Sequence, residues 1–322
     1  GPTLVLQGTL QVSNLTGSAT GSGSVTVSVG ATLAGTGKIL GPVTVSGSFT
    51  PGPSVGTLAI SNSLVLASNT VIKINKSLAQ TSDKVVGMTT FTAGGKLVVS
   101  TNVVVAGDIL VAGDTFQVFS ANSYAGSFSS ITPATPGPGL AWDTVALANN
   151  GILTVHANPT ATADSLTVQH GQTTTVPAIK LLANDIAEVG ETLSITSVSN
   201  ASLTAGLITY TAPTSGSSDT INYTVSDGRG GTSIGTINVT LTNNGASYNQ
   251  LSATVLLGGD LELSYLGIPG TNYVLDLTHD LTPPVSWTGL KTNAAAANGV
   301  ILFTNTPSLS PTNDFYRTRY AP

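Results

Sequence analysis

The sequence predicts an all-β protein that opens with a solenoid of short parallel strands, and three observations carry that expectation. Between Gly21 and Ile60, alternating apolar positions (Val25, Val27, Val29; Val43, Val45; Leu58, Ile60) recur between clusters of Gly, Ser and Pro. Strands that short bury one side chain in two. Their turns are too small for a crossover helix, which leaves an antiparallel meander or a parallel coil whose turns stack; the coil, whose backbone groups are satisfied by the turns above and below, is the expectation. Finally, only 8% of the 322 residues are charged, against roughly 25% in an ordinary soluble domain, while 40% are hydrophobic. Small polar residues fill the gap.

Composition also excludes functions. A net charge of -5 offers nothing to attract nucleic acid or an anionic membrane. Up to Asn75 the only ionisable side chains are Lys38 and Lys73, the first carboxylate is Asp83, and no Lys or Arg occurs between Leu97 and Ile179. Polysaccharide hydrolysis or lysis would need clustered acids, or a basic residue beside calcium. The solenoid block offers only Asp83, Asp108, Asp114 and Asp143, whose spacing does not repeat, so no enzyme activity is expected. The chain has no cysteine, which removes disulfides, thiolate metal sites and thiol catalysis and suits an exported bacterial protein. It carries no signal peptide and no membrane-spanning run. It starts inside a strand-like pattern, as the mature or excised part of something longer would.

Residues 1–157 form the first block. Strands are expected at Leu4–Leu6, Thr9–Val12, Ser24–Val29, Lys38–Leu40, Val43–Val45, Thr57–Ile60, Leu64–Leu66 and Val71–Ile74. Further strands follow at Lys84–Val86, Lys96–Ser100, Val103–Val105, Thr115–Phe119 and Ile152–Val155. Gly35 and Gly37 flank a tight corner, and Pro51-Gly52-Pro53 interrupts a strand. At about 20 to 25 residues per turn, roughly six or seven rungs would stack about 4.8 Å apart. Phe116, Phe119, Tyr124, Phe128 and Trp142 gather late in the block, where they would seal the last rung; Trp142 is also the block's candidate for stacking on a sugar. The run from GTLQVSNLTGSATGSGSVTVSVGATLAGTGKILGPVTV to PGPSVGTLAI, with DKVVGMTTFTAGGKLVV and GLAWDTVALANNGILTV further on, resembles the autotransporter-associated β-strand repeats. That resemblance implies a right-handed parallel β-helix in a secreted or surface-anchored bacterial protein without catalytic activity.

Residues 158–243 follow the Asn158-Pro159 linker with some seven short strands and turn signals every 8–12 residues or so, the pattern of an Ig-like β-sandwich. TADSLTV, LITYTAP and DTINYTVSDGRGGTSIGTINVTLT resemble the cadherin-like and Ig-like tandem domains of bacterial adhesins. Relatives of that kind carry a calcium loop of the form NDxDxDGDxL. Here the loop runs from Asn184 to Leu193, with Ala187 and Val189 where two acids are expected. Calcium wants six to eight oxygens. Asp185, Glu188 and Glu191 are the metal candidates, with Asp164 or Asp227 as helpers; solvated loop acids are the alternative. Asp227-Gly228 with Gly230-Gly231 reads as a hairpin turn. Lys180, the domain's one lysine, is either a surface residue or the donor of an isopeptide cross-link to an Asn near Glu191.

Residues 244–322 form a small C-terminal β module after the break at Asn243-Asn244-Gly245. Strands are expected at Ala253–Leu257, Leu261–Tyr265, Tyr273–Leu277, Val300–Thr304 and Phe315–Tyr320. GIPGTNYVLDLTHDLTPPVSWTGLKT with the terminal FYRTRY resembles a module at the ends of large secreted proteins of Verrucomicrobia and Planctomycetes, which implies sorting or docking. His156, His170 and His279 lie one to a block without ligand spacing, and no nucleophile elbow accompanies His279-Asp280. The whole reads as a β-helix shaft, an Ig-like spacer and a docking module of an extracellular or cell-surface structural or adhesive protein. Its expected partners are copies of itself, joined head to tail into a fibre, and cell-surface glycans. The alternative is a carbohydrate-binding accessory module, for which Trp142, Trp287 and Tyr273 are the candidate sugar-binding residues.

Overall fold

Short parallel strands, coil upon coil, make up the first of two units in this computed structural model, which describes residues 1–101, 109–243, 247–307 and 313–321. That unit comprises Gly1–Asn158 with Gly228–Gly231; the second comprises Pro159–Asp227 with Thr232–Pro322. The first coil contributes β1 (Thr3–Val5) and β2 (Gly8–Val12); the next adds β3 (Val25–Val27), β4 (Ala31–Gly35) and β5 (Lys38–Ile39). A third holds β6 (Val43–Val45), β7 (Ser48–Thr50) and β8 (Thr57–Ile60), and a fourth β9 (Leu64–Leu66), β10 (Asn69–Ile74) and β11 (Lys84–Ala93). Then come β12 (Lys96–Thr101), β13 (Thr115–Gln117), β14 (Phe119–Gly126) and β15 (Ser130–Thr132).

Three faces result, all with parallel pairing. β1, β3, β6, β9 and the end of β11 line one, and β2, β4, β7, β10, β12 and β15 the second. β5, β8 and the start of β11 line the third. The unit is a parallel β-helix. Alternation explains the inward layer: Val25 and Val27 are buried while Thr26 faces out, and the next coil repeats the pattern with Val43, Thr44 and Val45. Register then aligns like with like, so Val25 lies beside Val43, Val43 beside Leu64 and Leu64 beside Phe91. Each such buried side chain is worth about 1.5–3 kcal/mol.

Two glycines make the corners possible. Gly35, at φ 122°, lies so close under the preceding coil that a Cβ would overlap the Val12 carbonyl. Gly87, at φ 83°, sits at the register shift that turns β11 from the third face to the first.

β4 and β7 were not among the expected strands. Phe49 is the one inward side chain of β7, between polar neighbours that read as a turn. Val103–Val105 lies outside the described residues, as do Asp108, Asn244 and Gly245. The late aromatics join the core and draw Phe91 with them: its ring stacks on Phe119 at 4.2 Å, with Phe128 and Tyr124 around the pair. The chain then forms β16 (Leu140–Asp143), α1 (Thr144–Asn150) and β17 (Ile152–Ala157), and β13, β17 and β16 pair as an antiparallel sheet. Nothing in the local residue pattern predicts α1. Asp143 starts it by accepting the Ala146 N–H, and Gly151 ends it in the left-handed conformation.

In the second unit, seven strands form a two-sheet sandwich. They are β18 (Asp164–Gln169), β19 (Thr173–Pro177), β20 (Ser194–Val198), β21 (Ser202–Thr204), β22 (Leu207–Thr211), β23 (Ser218–Ser226) and β24 (Thr232–Thr242). One sheet runs β18-β24-β23-β20 and the other β19-β22-β21, with one short helix, α2 (Ala178–Leu181), after β19. Leu166, Val168, Tyr210, Tyr223 and Ile237 fill the space between them. Six more strands follow: β25 (Leu251–Val255), β26 (Leu261–Leu266), β27 (Asn272–Thr278), β28 (Thr288–Ala294), β29 (Val300–Asn305) and β30 (Phe315–Ala321). They pair antiparallel as β25-β26-β29 and β28-β27-β30 around Leu263, Tyr273, Leu275 and Phe303.

Candidate functional site

The loop acids divide their tasks. Asp185, where a 3-10 turn after α2 ends, accepts the Thr162 N–H on Oδ1 at 2.7 Å, while its buried Oδ2 makes no hydrogen bond among the described residues. Burial pushes its pKa up. Glu191 folds back to accept the Glu188 N–H at 3.2 Å. Among the described residues, Asp185, Glu188 and Glu191 do not converge as one set of donors. Asp164 lies deeper, taking the Tyr223 hydroxyl at 2.7 Å and the Asn184 amide at 3.2 Å. Burial, aided by the charge on Asp185, pushes its carboxyl up to about 7 against the Tyr223 hydrogen bond.

The aromatic candidates separate by burial. Trp142 is 3% exposed and spends its indole N–H on the Pro133 carbonyl at 3.0 Å. Tyr273 is 0% exposed, packed against Tyr265 and Tyr320, with its hydroxyl accepting the Ile268 N–H. Both are core residues with no ring face to offer a sugar, which corrects that part of the expectation. Trp287 is half-buried, and the Arg317 guanidinium lies 4.3 Å from its ring centre.

That contact belongs to a cluster that the sequence does not announce. Asp276 on the central strand β27 is 1% exposed. Arg317 reaches its Oδ2 at 3.1 Å, and Arg319 bridges Oδ1 and Oδ2 at 3.2 and 3.1 Å. Cross-strand register sets this up, because Arg317 pairs directly with Asp276 and Arg319 with Val274. The FYRTRY run was the available signal: arginines two apart on a strand share a face.

Lys180 also departs from its surface reading. It is 8% exposed, its ammonium 4.7 Å from the Tyr273 ring centre and 5.3 Å from that of Tyr320, and it donates to the Tyr248 hydroxyl at 3.4 Å. Burial lowers its pKa, and the rings compensate for a missing carboxylate.

The acids of the coils have structural tasks. Asp83, fully buried, accepts the Gly56 and Lys73 N–H groups and pairs with the Lys73 ammonium at 3.0 Å, joining neighbouring coils. Asp114 pairs with Lys76 at 2.8 Å, and Asp143 caps α1. His279 meets Asp314 at 2.8 Å, while Asp280 accepts from Thr282.

No helix among the described residues is long and apolar enough to cross a membrane. No curated protein and no solved structure matches the chain. Residues 156–240 match the family described as bacterial Ig domain, in agreement with the seven-strand sandwich found there.

Proposed function

We propose that this chain is an extracellular structural or adhesive part of a bacterial surface protein that works by shape and not by reactivity. The observation that carries the reading is the pairing of a bacterial Ig domain with a stack of β-coils. Each described acid of the coils already holds a backbone or an ion pair, which leaves little for catalysis. In the sheets described here, β1 and β2 each pair on one side only. A strand edge of that kind can accept another chain, so copies would join head to tail through coil stacking or strand addition. The sparse charge lowers the repulsion such stacking must overcome.

Negative-stain micrographs of the purified chain test this. Fibres or end-to-end strings are expected, and they should disappear when Leu4→Pro removes a backbone donor from β1. Particles that stay single at every concentration would defeat the assembly reading. The second reading, a carbohydrate-binding accessory, draws on the half-buried Trp287 and its Arg317 stack.

A further inference from the structure

Two of the chain's three arginines, Arg317 and Arg319, stand on one face of β30. Only their Nε atoms contact the buried Asp276 carboxylate. Among the described residues, none of their terminal nitrogens makes a hydrogen bond, and the side chains are 46% and 52% exposed. The forks are therefore held from below and open above. Trp287 fixes Arg317 from the side. Gly289, opposite Asp276 on β28, contributes no side chain to cover the pair; a Cβ there would come within 3.6 Å of both Arg319 Nη2 and Asp276 Oδ1.

Two guanidinium groups against one carboxylate leave a local charge of +1 in a chain whose net charge is -5. So small a surplus favours an anion recognised by directed hydrogen bonds over one held by bulk charge. A nucleic acid, with a phosphate at every step, rewards many cations together and gains little from one. A planar carboxylate matches the geometry of a guanidinium fork, and a polyuronate carries one such carboxylate on each sugar. The Arg317 guanidinium lies over one face of the half-buried Trp287 ring, and the opposite face is where the C–H side of a sugar ring would pack.

We infer that the outer face of the sheet β28-β27-β30 binds a carboxylated polysaccharide of the polyuronate type, the carboxylate held by Arg317 and Arg319 and a sugar ring resting beside Trp287. This gives the adhesive reading a ligand and rests on that reading only for the chain's meeting glycans outside the cell. Binding is measured on single chains in solution, so a failure to form fibres would leave it standing.

The test is affinity electrophoresis of the full chain through gels containing polygalacturonate, neutral dextran or dextran sulfate. Retardation is expected in polygalacturonate and not in dextran, with competition by free galacturonate. Arg319→Gln should weaken it about tenfold, the size of one charge-assisted contact. Arg319→Lys, which keeps the charge and loses the fork, should fall between the two. Lys291→Gln, removing a cation on β28, should change nothing. Thermal melts check that each variant folds, and if Arg319→Gln does not, Arg319→Lys and the competition decide. Equal retardation in dextran, retardation by dextran sulfate alone, an equal loss in Lys291→Gln, or no retardation at all would each overturn the proposal.

Discussion

The coiled unit and the unit that follows it are both built from strands, yet they specify their interiors differently. In the coils, each inward residue answers to the residue one turn away, as Leu33 does to Leu10 and to Phe49. A buried charge there is the exception, met by Asp83 with Lys73 directly across from it. In the second unit, buried polar groups come together from distant strands: Asp164 with Tyr223, Lys180 with Tyr273 and Tyr320, Asp276 with Arg317 and Arg319. A ladder tolerates variation in loops because its contacts repeat. Polar nodes tolerate little, because each one is unique.

The sharpest way to break this contrast is Phe49→Ala. It removes a fully buried ring from the middle of a ladder and should cost about 3–5 kcal/mol, read from the denaturant midpoint of the coiled unit. A loss below about 1 kcal/mol would mean that the ladders are not what holds the coils. Lys73→Met comes next, since it leaves the Asp83 carboxylate buried and unpaired; about 3 kcal/mol should be lost near neutral pH. Burial already raises the Asp83 pKa, so that loss should shrink in acid, where the carboxyl takes up a proton.

The second unit should respond to pH through Asp164. Its folded pKa of about 7 lies above the 3.8 of an ordinary aspartate carboxyl, so the folded state binds the proton more tightly than the unfolded chain does. Stability from this group is present in acid and lost as pH rises through about 7. The sandwich should therefore be more stable at pH 5 than at pH 8, by about 2–3 kcal/mol. Asp185, whose pKa burial also raises, acts in the same direction. Thermal melts of Asp164→Asn should show most of the dependence gone; an unchanged pH profile would move the contrast elsewhere. The smallest effect belongs to Thr70, 1% exposed between Phe49 and Leu97, with a hydroxyl that makes no hydrogen bond among the described residues. Thr70→Val should stabilise the coils by about 1 kcal/mol, visible as a higher melting temperature.

How legible each feature was depended on whether its signal was local. Val25-Thr26-Val27 and Val43-Thr44-Val45 state strand and inward face within three letters, and the regular turn signals between Asp164 and Thr242 state a sandwich. β28 did not show: Thr288–Ala294 is mostly exposed, lacks an alternating stripe, and is a strand because β27 supplies its partner. Trp142 and Trp287 look alike as letters. One faces the coil core and the other an arginine, a difference made by the strands around each. Lys180 reads as solvent-facing because lysine ordinarily is, and only the return of Tyr273 and Tyr320 beside it encloses its ammonium.

The amino-acid order by itself determined the all-β character, the stacked coils, the Ig-like sandwich and the scarcity of charge, because period-two alternation, turn residues and composition are local properties that survive without knowledge of neighbours. The tertiary structure alone decided which aromatics are accessible and which polar groups meet. Asp276 and Arg317 stand far apart along the chain and become adjacent only when β27 and β30 pair in register, so a site made of their charges does not exist until the sheet does.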